Sequence, residues 1–226
     1  AAEQMADALT GKGYRNAMNV PTVNREELEK IQPYLTLSEK MGSFLMQIIK
    51  DRVKSVEIIY NGEVANKNVK LITDSFMVGL FRPALEEGVN LVNISLLVNE
   101  RGIAINETTS IAPKGFMNLI TASVITDNNR VFVSGTVFDK KETRIVDING
   151  FEIETSLSKH MLVLFCKDKP GLIGNLGTIL GKKEINIAHM TFGRKDESGL
   201  SIAVLNVDAP ITTEIVDEIK ILDLGC

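Results

Sequence analysis

Apolar positions recur at two different periods along this chain, and the switches between them mark its elements. Ala1, Met5, Ala8 and Leu9 fall at helical spacing before Gly11, so residues 1–11 read as a short helix, followed by an irregular stretch to Pro21. Asn24 with Glu27 has the form of a helix cap and its box partner, and Gln32-Pro33 predicts an early stop. From Thr36 to Lys50, the residues Leu37, Met41, Phe44, Leu45, Ile48 and Ile49 share one helical face. Val53, Val56, Ile58 and Tyr60 then form a strand pattern that ends at the turn signal Asn61-Gly62. Helical spacing returns over Asn68–Glu87 through Leu71, Phe76, Leu80 and Leu85, and Pro83 predicts a kink or break inside it. Val92–Val98 is a further apolar run, Arg101-Gly102 a turn, and Ile103 and Ile105 a short strand. Strand patterns fill Leu119–Thr126, Arg130–Phe138, Glu142–Ile148 and Phe151–Thr155, with turns at Asp127-Asn128-Asn129 and Asn149-Gly150.

Ser156–Lys159 is a polar break, and the domain boundary is expected there. Beyond it the rhythm differs. Met161–Phe165 reads as a buried strand, Lys167–Gly171 as a loop, and Leu172, Leu176, Ile179 and Leu180 as the apolar face of a helix stopped by Gly181 and the lysines after it. Ile185–Phe192 and Leu200–Val207 read as strands and Thr212–Ile221 as a helix. The expected class is α+β: a mixed α/β first domain, then a β-α-β-β-α order that lacks one strand of the ferredoxin-like βαββαβ unit.

Composition narrows the chemistry. The chain has 226 residues, 44% of them hydrophobic and 24% charged, which fits two ordinary globular domains. A net charge of −4 offers no basic surface for nucleic acid, so none is expected as a partner. No apolar run approaches the roughly 20 residues that span a bilayer, so no membrane partner is expected either. Ala1 opens into Glu3-Gln4-Met5 without a basic-then-apolar leader, and a cytoplasmic protein is expected. Two cysteines cannot make a disulfide framework or a structural zinc site, and a reducing compartment fits best. His160 and His189 are the only imidazoles, too few for a His-based metal site or a Ser–His–Asp triad. Neither G-x-G-x-x-G nor G-x-x-x-x-G-K-[ST] occurs. No catalytic, cofactor or metal residues are therefore expected in this chain.

One segment carries chemistry. Asp168-Lys169-Pro170-Gly171-Leu172 lies at a strand-to-helix junction, where Pro170 suits the first helical position and Gly171 leaves the backbone open to close approach. Free N–H groups of a first helical turn suit a carboxylate, and Asp168 is placed either to cap the helix or to receive an ammonium group. Together these groups are shaped for an amino acid. Asn186, which opens the next strand, joins them only if symmetry or folding brings it back. The plainer alternative makes Asp168 a cap, Pro170-Gly171 a connection and Asn186 a turn residue.

The run Val163–Gly174, continued by Ile185-Asn186-Ile187, resembles an ACT domain, a small regulatory module that binds amino acids. Upstream, Arg15–Pro21 resembles the segment leaving the catalytic half of D-3-phosphoglycerate dehydrogenases. Arg82-Pro83-Ala84-Leu85, Val92-Asn93, Asn99–Gly102, Gly135-Thr136 and Asp147–Gly150 resemble their intervening, or allosteric substrate-binding, domain. The resemblance implies an exit helix and linker over 1–20, an intervening domain over 21–157 and an ACT domain over 158–226, cut from a longer NAD-dependent enzyme of L-serine biosynthesis. It implies L-serine as effector between two ACT domains of a homo-oligomer. Cys166, Asp168, Gly171 and Leu172 would line one side, and Asn186 the other. Cys166 stands where some members carry His or Tyr. Some relatives bind an anion in the intervening domain, for which Lys114 and Arg130 are the candidates. The resemblance leaves two rivals: the regulatory subunit of an iron–sulfur L-serine dehydratase, and a purely structural oligomerisation module.

Overall fold

The computed structural model describes residues 25–85, 88–139, 141–195 and 199–221. The expected helix over 1–11, the Asn24 cap and the question of a last ACT strand fall outside these residues. The chain forms two compact units, Ala1–Thr143 and Arg144–Cys226.

The first unit begins with helix α1, Arg25–Ile48, which is continuous for 24 residues and holds Pro33 in its interior. The early stop expected at Gln32-Pro33 does not occur. Tertiary packing overrides the proline: Ile31, Tyr34, Leu35, Leu37, Met41 and Leu45 on both sides of it are buried along one face. Strand β1, Val53–Gly62, follows where its alternation predicts, but the turn expected at Asn61-Gly62 does not form there, because both residues pair with β3 as part of the strand. Helix α2, Val69–Phe81, starts at Asn68, whose side chain accepts the Leu71 N–H at 3.2 Å. It gives way to a 3-10 turn over Arg82–Ala84, the break that Pro83 predicts. The run around Val92–Val98 forms helix α3, Ile94–Glu100. Strands β2 (Ala104–Ser110), β3 (Asn118–Thr126) and β4 (Arg130–Phe138) complete this unit, in sheet order β2-β1-β3-β4. β1 runs parallel to β2 and antiparallel to β3, with Ile58 opposite Glu107 on one side and Ala122 on the other.

Helices α1 and α2 pack against each other, and α1 lies over β3 and β4. Glycine sets their separation. A Cβ on Gly79 would stand 1.9 Å from the Glu39 carbonyl oxygen, and one on Gly42 would stand 2.1 Å from that of Phe76. Polar groups are buried with partners here. The Tyr60 hydroxyl bonds Thr73 Oγ1 at 2.7 Å, and Ser75 donates to the Leu35 carbonyl at 2.9 Å. Asp74 is ion-paired with Lys70, its side chain only 10% exposed. Burial lifts its carboxyl above the ordinary 3.8 against the pull of Lys70.

The division between the units falls inside strand β5, Glu142–Ile148, earlier in the chain than the polar break at Ser156–Lys159. The hairpin of β5 and β6 (Phe151–Thr155) explains this. Its turn, Asn149-Gly150, has φ of 53° and 83°, the paired positive values of a tight hairpin. β6 packs on the strands that follow rather than ending before them. Those are β7 (Met161–Lys167), β8 (Ile187–Arg194) and β9 (Leu200–Val207), arranged in the antiparallel order β7-β9-β8. Helices α4 (Leu172–Lys182) and α5 (Thr213–Ile221) cover one face through Leu172, Leu176, Ile179, Leu180, Ile215 and Ile219. Gly193 allows β6 to approach β8 closely, since a Cβ there would meet Ile153 at 2.9 Å. Asn206 is buried on β9 and tied on both sides, to the Ser156 carbonyl at 3.2 Å and the Ser158 hydroxyl at 3.1 Å. The observed β-α-β-β-α order is the one the periodicities predict.

Candidate effector site

The site is built where β7 ends and α4 begins. After Lys167 the backbone turns back on β9, and the Asp168 N–H bonds the Gly199 carbonyl at 2.6 Å. Gly171 is the residue at the helix start, with φ 91°, a left-handed conformation that costs a glycine little. A Cβ at this position would come no nearer than 3.9 Å to any neighbour, so the loop is open to solvent. No side chain caps α4, and its first helical residue is Leu172. Two expectations are thereby corrected. Pro170 precedes the helix instead of occupying its first position, because Gly171 makes the turn into it. Asp168 is no cap, because its carboxylate is committed elsewhere.

That commitment is to Arg194, the last residue of β8: Nη2 lies 2.5 Å from Asp168 Oδ2. The strand register explains the reach. Arg194 pairs with Ser201 and follows Phe192 and Met190 on the helix-covered face, so its side chain crosses the start of β9 towards the β7–α4 loop. The Asp168 side chain is 23% exposed and that of Arg194 68%, which puts the guanidinium outermost.

The remaining expected residues distribute unevenly. Leu172 is buried in the core, and its N–H donates to the Lys169 carbonyl at 3.3 Å. Cys166 is 2% exposed, packs in the same core and is engaged in a disulfide. It therefore offers no thiol to a ligand, and the reduced state suggested by the cysteine count does not hold for this residue. Asn186 is exposed just before β8, where its N–H donates to Asp208 Oδ1 at 3.0 Å. It is delivered by the end of α4, where Glu184 takes φ 56° and the Ile185 N–H bonds back to the Leu180 carbonyl at 3.0 Å. Asp168 adjoins Gly199 at the start of β9, and Asn186 adjoins Asp208 at its end. Within one chain they stand apart by the length of that strand, roughly 25 Å at about 3.3 Å per residue.

In the first unit the two anion candidates do not converge. Arg130 pairs opposite Ile125, near the end of β3, while Lys114 precedes the start of that strand. Arg130 is moreover paired with Glu57 at 2.9 Å and bonds the Ser123 hydroxyl at 3.2 Å. Among the described residues no cluster of His, Cys, Asp and Glu could hold a metal ion, and no helix is long and apolar enough to cross a membrane. No strand-to-helix junction among the described residues carries the G-x-G-x-x-G spacing.

Sequence reasoning missed Arg194. A signal was present: alternation along β8 places an arginine on the same face as Met190 and Phe192, and a charge in that register must leave the core for a partner.

Comparison with known proteins agrees with this architecture. The family described as the D-3-phosphoglycerate dehydrogenase intervening domain matches residues 30–149, and the ACT domain family matches 160–223. A D-3-phosphoglycerate dehydrogenase of Methanocaldococcus jannaschii is 33% identical over 97% of this chain and 41% of its own length. One of Bacillus subtilis is 34% identical over 96% of the chain and 41% of its own length. A chloroplastic relative from Arabidopsis thaliana is 26% identical over 96% of the chain and 40% of its own length. The chain thus spans about two fifths of the length of these relatives. Its two units, in this order, make it a member of the D-3-phosphoglycerate dehydrogenase intervening-domain family, joined to an ACT domain.

Proposed function

We propose that this chain is the regulatory part of an NAD-dependent D-3-phosphoglycerate dehydrogenase of L-serine biosynthesis, working in the cytoplasm as a homo-oligomer. It binds L-serine as feedback effector where two ACT units meet. The observation that carries this reading is the placement of Asp168 and Asn186 at opposite ends of β9, in a sheet whose β8 is an edge strand. Pairing the β8 edges of two copies about a two-fold axis runs them antiparallel. The Asp168 end of one copy then faces the Asn186 end of the other. Neither copy has a complete site alone, so effector binding and association are linked, and serine favours whichever domain arrangement holds the two halves together. Asp168 accepts the ammonium group, Gly171 and the start of α4 admit the carboxylate end, and Asn186 of a second copy closes the site. NAD and the substrate belong to the length that the relatives have beyond this chain.

Titration calorimetry with L-serine on the wild type and Asp168→Ala is the direct test, with sedimentation run in parallel. The wild type is expected to bind serine and to associate more tightly with it, whereas Asp168→Ala loses both responses. Equal affinities for the two proteins would remove Asp168 from the site.

A further inference from the structure

Taking the amino-acid reading above as its basis, we infer that Arg194 is a second recognition residue of this site. Asp168 and Arg194 act together as one receptor for a zwitterion. Asp168 takes the ammonium group, and Arg194 joins the start of α4 in holding the carboxylate.

The first support is the geometry of the pair. Asp168 Oδ2 and Arg194 Nη2 meet at 2.5 Å. A carboxylate accepts at both oxygens and a guanidinium donates along a planar fork, so each retains capacity for a ligand. The pair also lies at the surface, with the Arg194 side chain 68% exposed. The Asp168 side chain is 23% exposed, so the carboxylate stays in place while the outer guanidinium can re-orient around a ligand.

The second support is charge complementarity. An α-amino acid carries opposite charges one carbon apart. Laid alongside an ion pair in the reverse sense, it closes a ring of four alternating charges, each bordered by two of opposite sign. An amine without a carboxylate gains Asp168 but is repelled by Arg194. An acid without an ammonium meets the converse. The pair therefore selects zwitterions, which Asp168 alone could not do.

The third support is position. Arg194 ends β8 at the Asp168 end of the sheet, while Asn186 precedes β8 at the other. The two-fold pairing that brings Asn186 of a second copy to Asp168 therefore brings it to Arg194 as well.

The test uses the full chain with three probes in titration calorimetry: L-serine, ethanolamine and L-glycerate, which has a hydroxyl in place of the ammonium group. The wild type is expected to bind serine and to discriminate strongly against the other two. Arg194→Gln should weaken serine about tenfold or more while ethanolamine binds as well as before or better, because its repulsion is gone. Arg194→Lys should recover part of the serine affinity. Melting curves should be nearly unchanged in both variants, as suits an exposed side chain. Serine affinity unaltered in Arg194→Gln, or serine and ethanolamine weakened equally, overturns this role and leaves the amino-acid reading intact. Absence of serine binding to the wild type overturns both.

Discussion

Both units cover a sheet with helices, but glycine does opposite work in them. In the first unit Gly42 and Gly79 sit where α1 and α2 touch backbone to backbone, with virtual Cβ positions 2.1 and 1.9 Å from carbonyl oxygens. In the second, among the described residues beyond the helix's own backbone, Gly174, Gly177 and Gly181 of α4 have nothing within 4 Å of theirs. Both units bury polar groups, Tyr60, Thr73 and Asp74 in the first and Thr155, Ser201 and Asn206 in the second, so the contrast between them lies in the helix contacts. One helix pair is packed to its limit, and the other helix has glycines that no described residue approaches. A single residue type thus reports either close packing or open surface, and only the neighbours tell which.

The sharpest way to break this contrast is Gly79→Ala. The added methyl meets the Glu39 backbone, which cannot rotate aside, so a loss of about 3 kcal/mol is expected from overpacking. Hydrogen exchange at β1 amides, read against those of β9, should show the loss confined to the first unit. Full stability in this variant would mean that the helices are not held by close approach. The next effect is a pH dependence. Because burial raises the Asp74 carboxyl above 3.8, the folded state holds this proton more tightly than the unfolded chain. The burial cost is absent below the unfolded value and grows as pH rises through the folded one, so this group lowers stability with rising pH. Urea midpoints of wild type and Asp74→Asn across that window should diverge, with the wild type losing ground as pH rises. A difference independent of pH would remove Asp74 as the cause. Smallest and opposite in sign is Gly177→Ala in α4, expected to stabilise the second unit by roughly 0.5–1 kcal/mol, because helix propensity rises and nothing is displaced. A destabilised variant would show that this side of α4 is covered after all.

Local signals were legible wherever the chain's own backbone decides the outcome. Asn149-Gly150 announced a hairpin turn that has the two positive φ values such a turn needs, and Pro83 announced the end of α2. Pro33 carried the same signal and was overruled, because buried residues on both sides of it continue one face. At the candidate site, the strand-to-helix junction and the open Gly171 were readable, but the fate of the Asp168 carboxylate was not. Its partner Arg194 lies two strands away, and a charge in sequence does not say what it will meet. Cys166 and Leu172 occupy the expected segment, yet strand alternation and helix phase turn both side chains inward.

By itself, the sequence determined the order and type of most elements, though not the continuity of α1 through Pro33 or the helical form of the run around Val92–Val98, since hydrophobic period and turn chemistry act over a few residues. It also determined the family, through the residues that resemble an intervening domain followed by an ACT unit. Only the tertiary structure decided that Asp168 pairs with Arg194, that Asn186 lies at the far end of β9, and that Asp74 is buried. Those outcomes depend on which strands become neighbours and in what register, and that choice follows from burying whole faces at once rather than from any short stretch of residues.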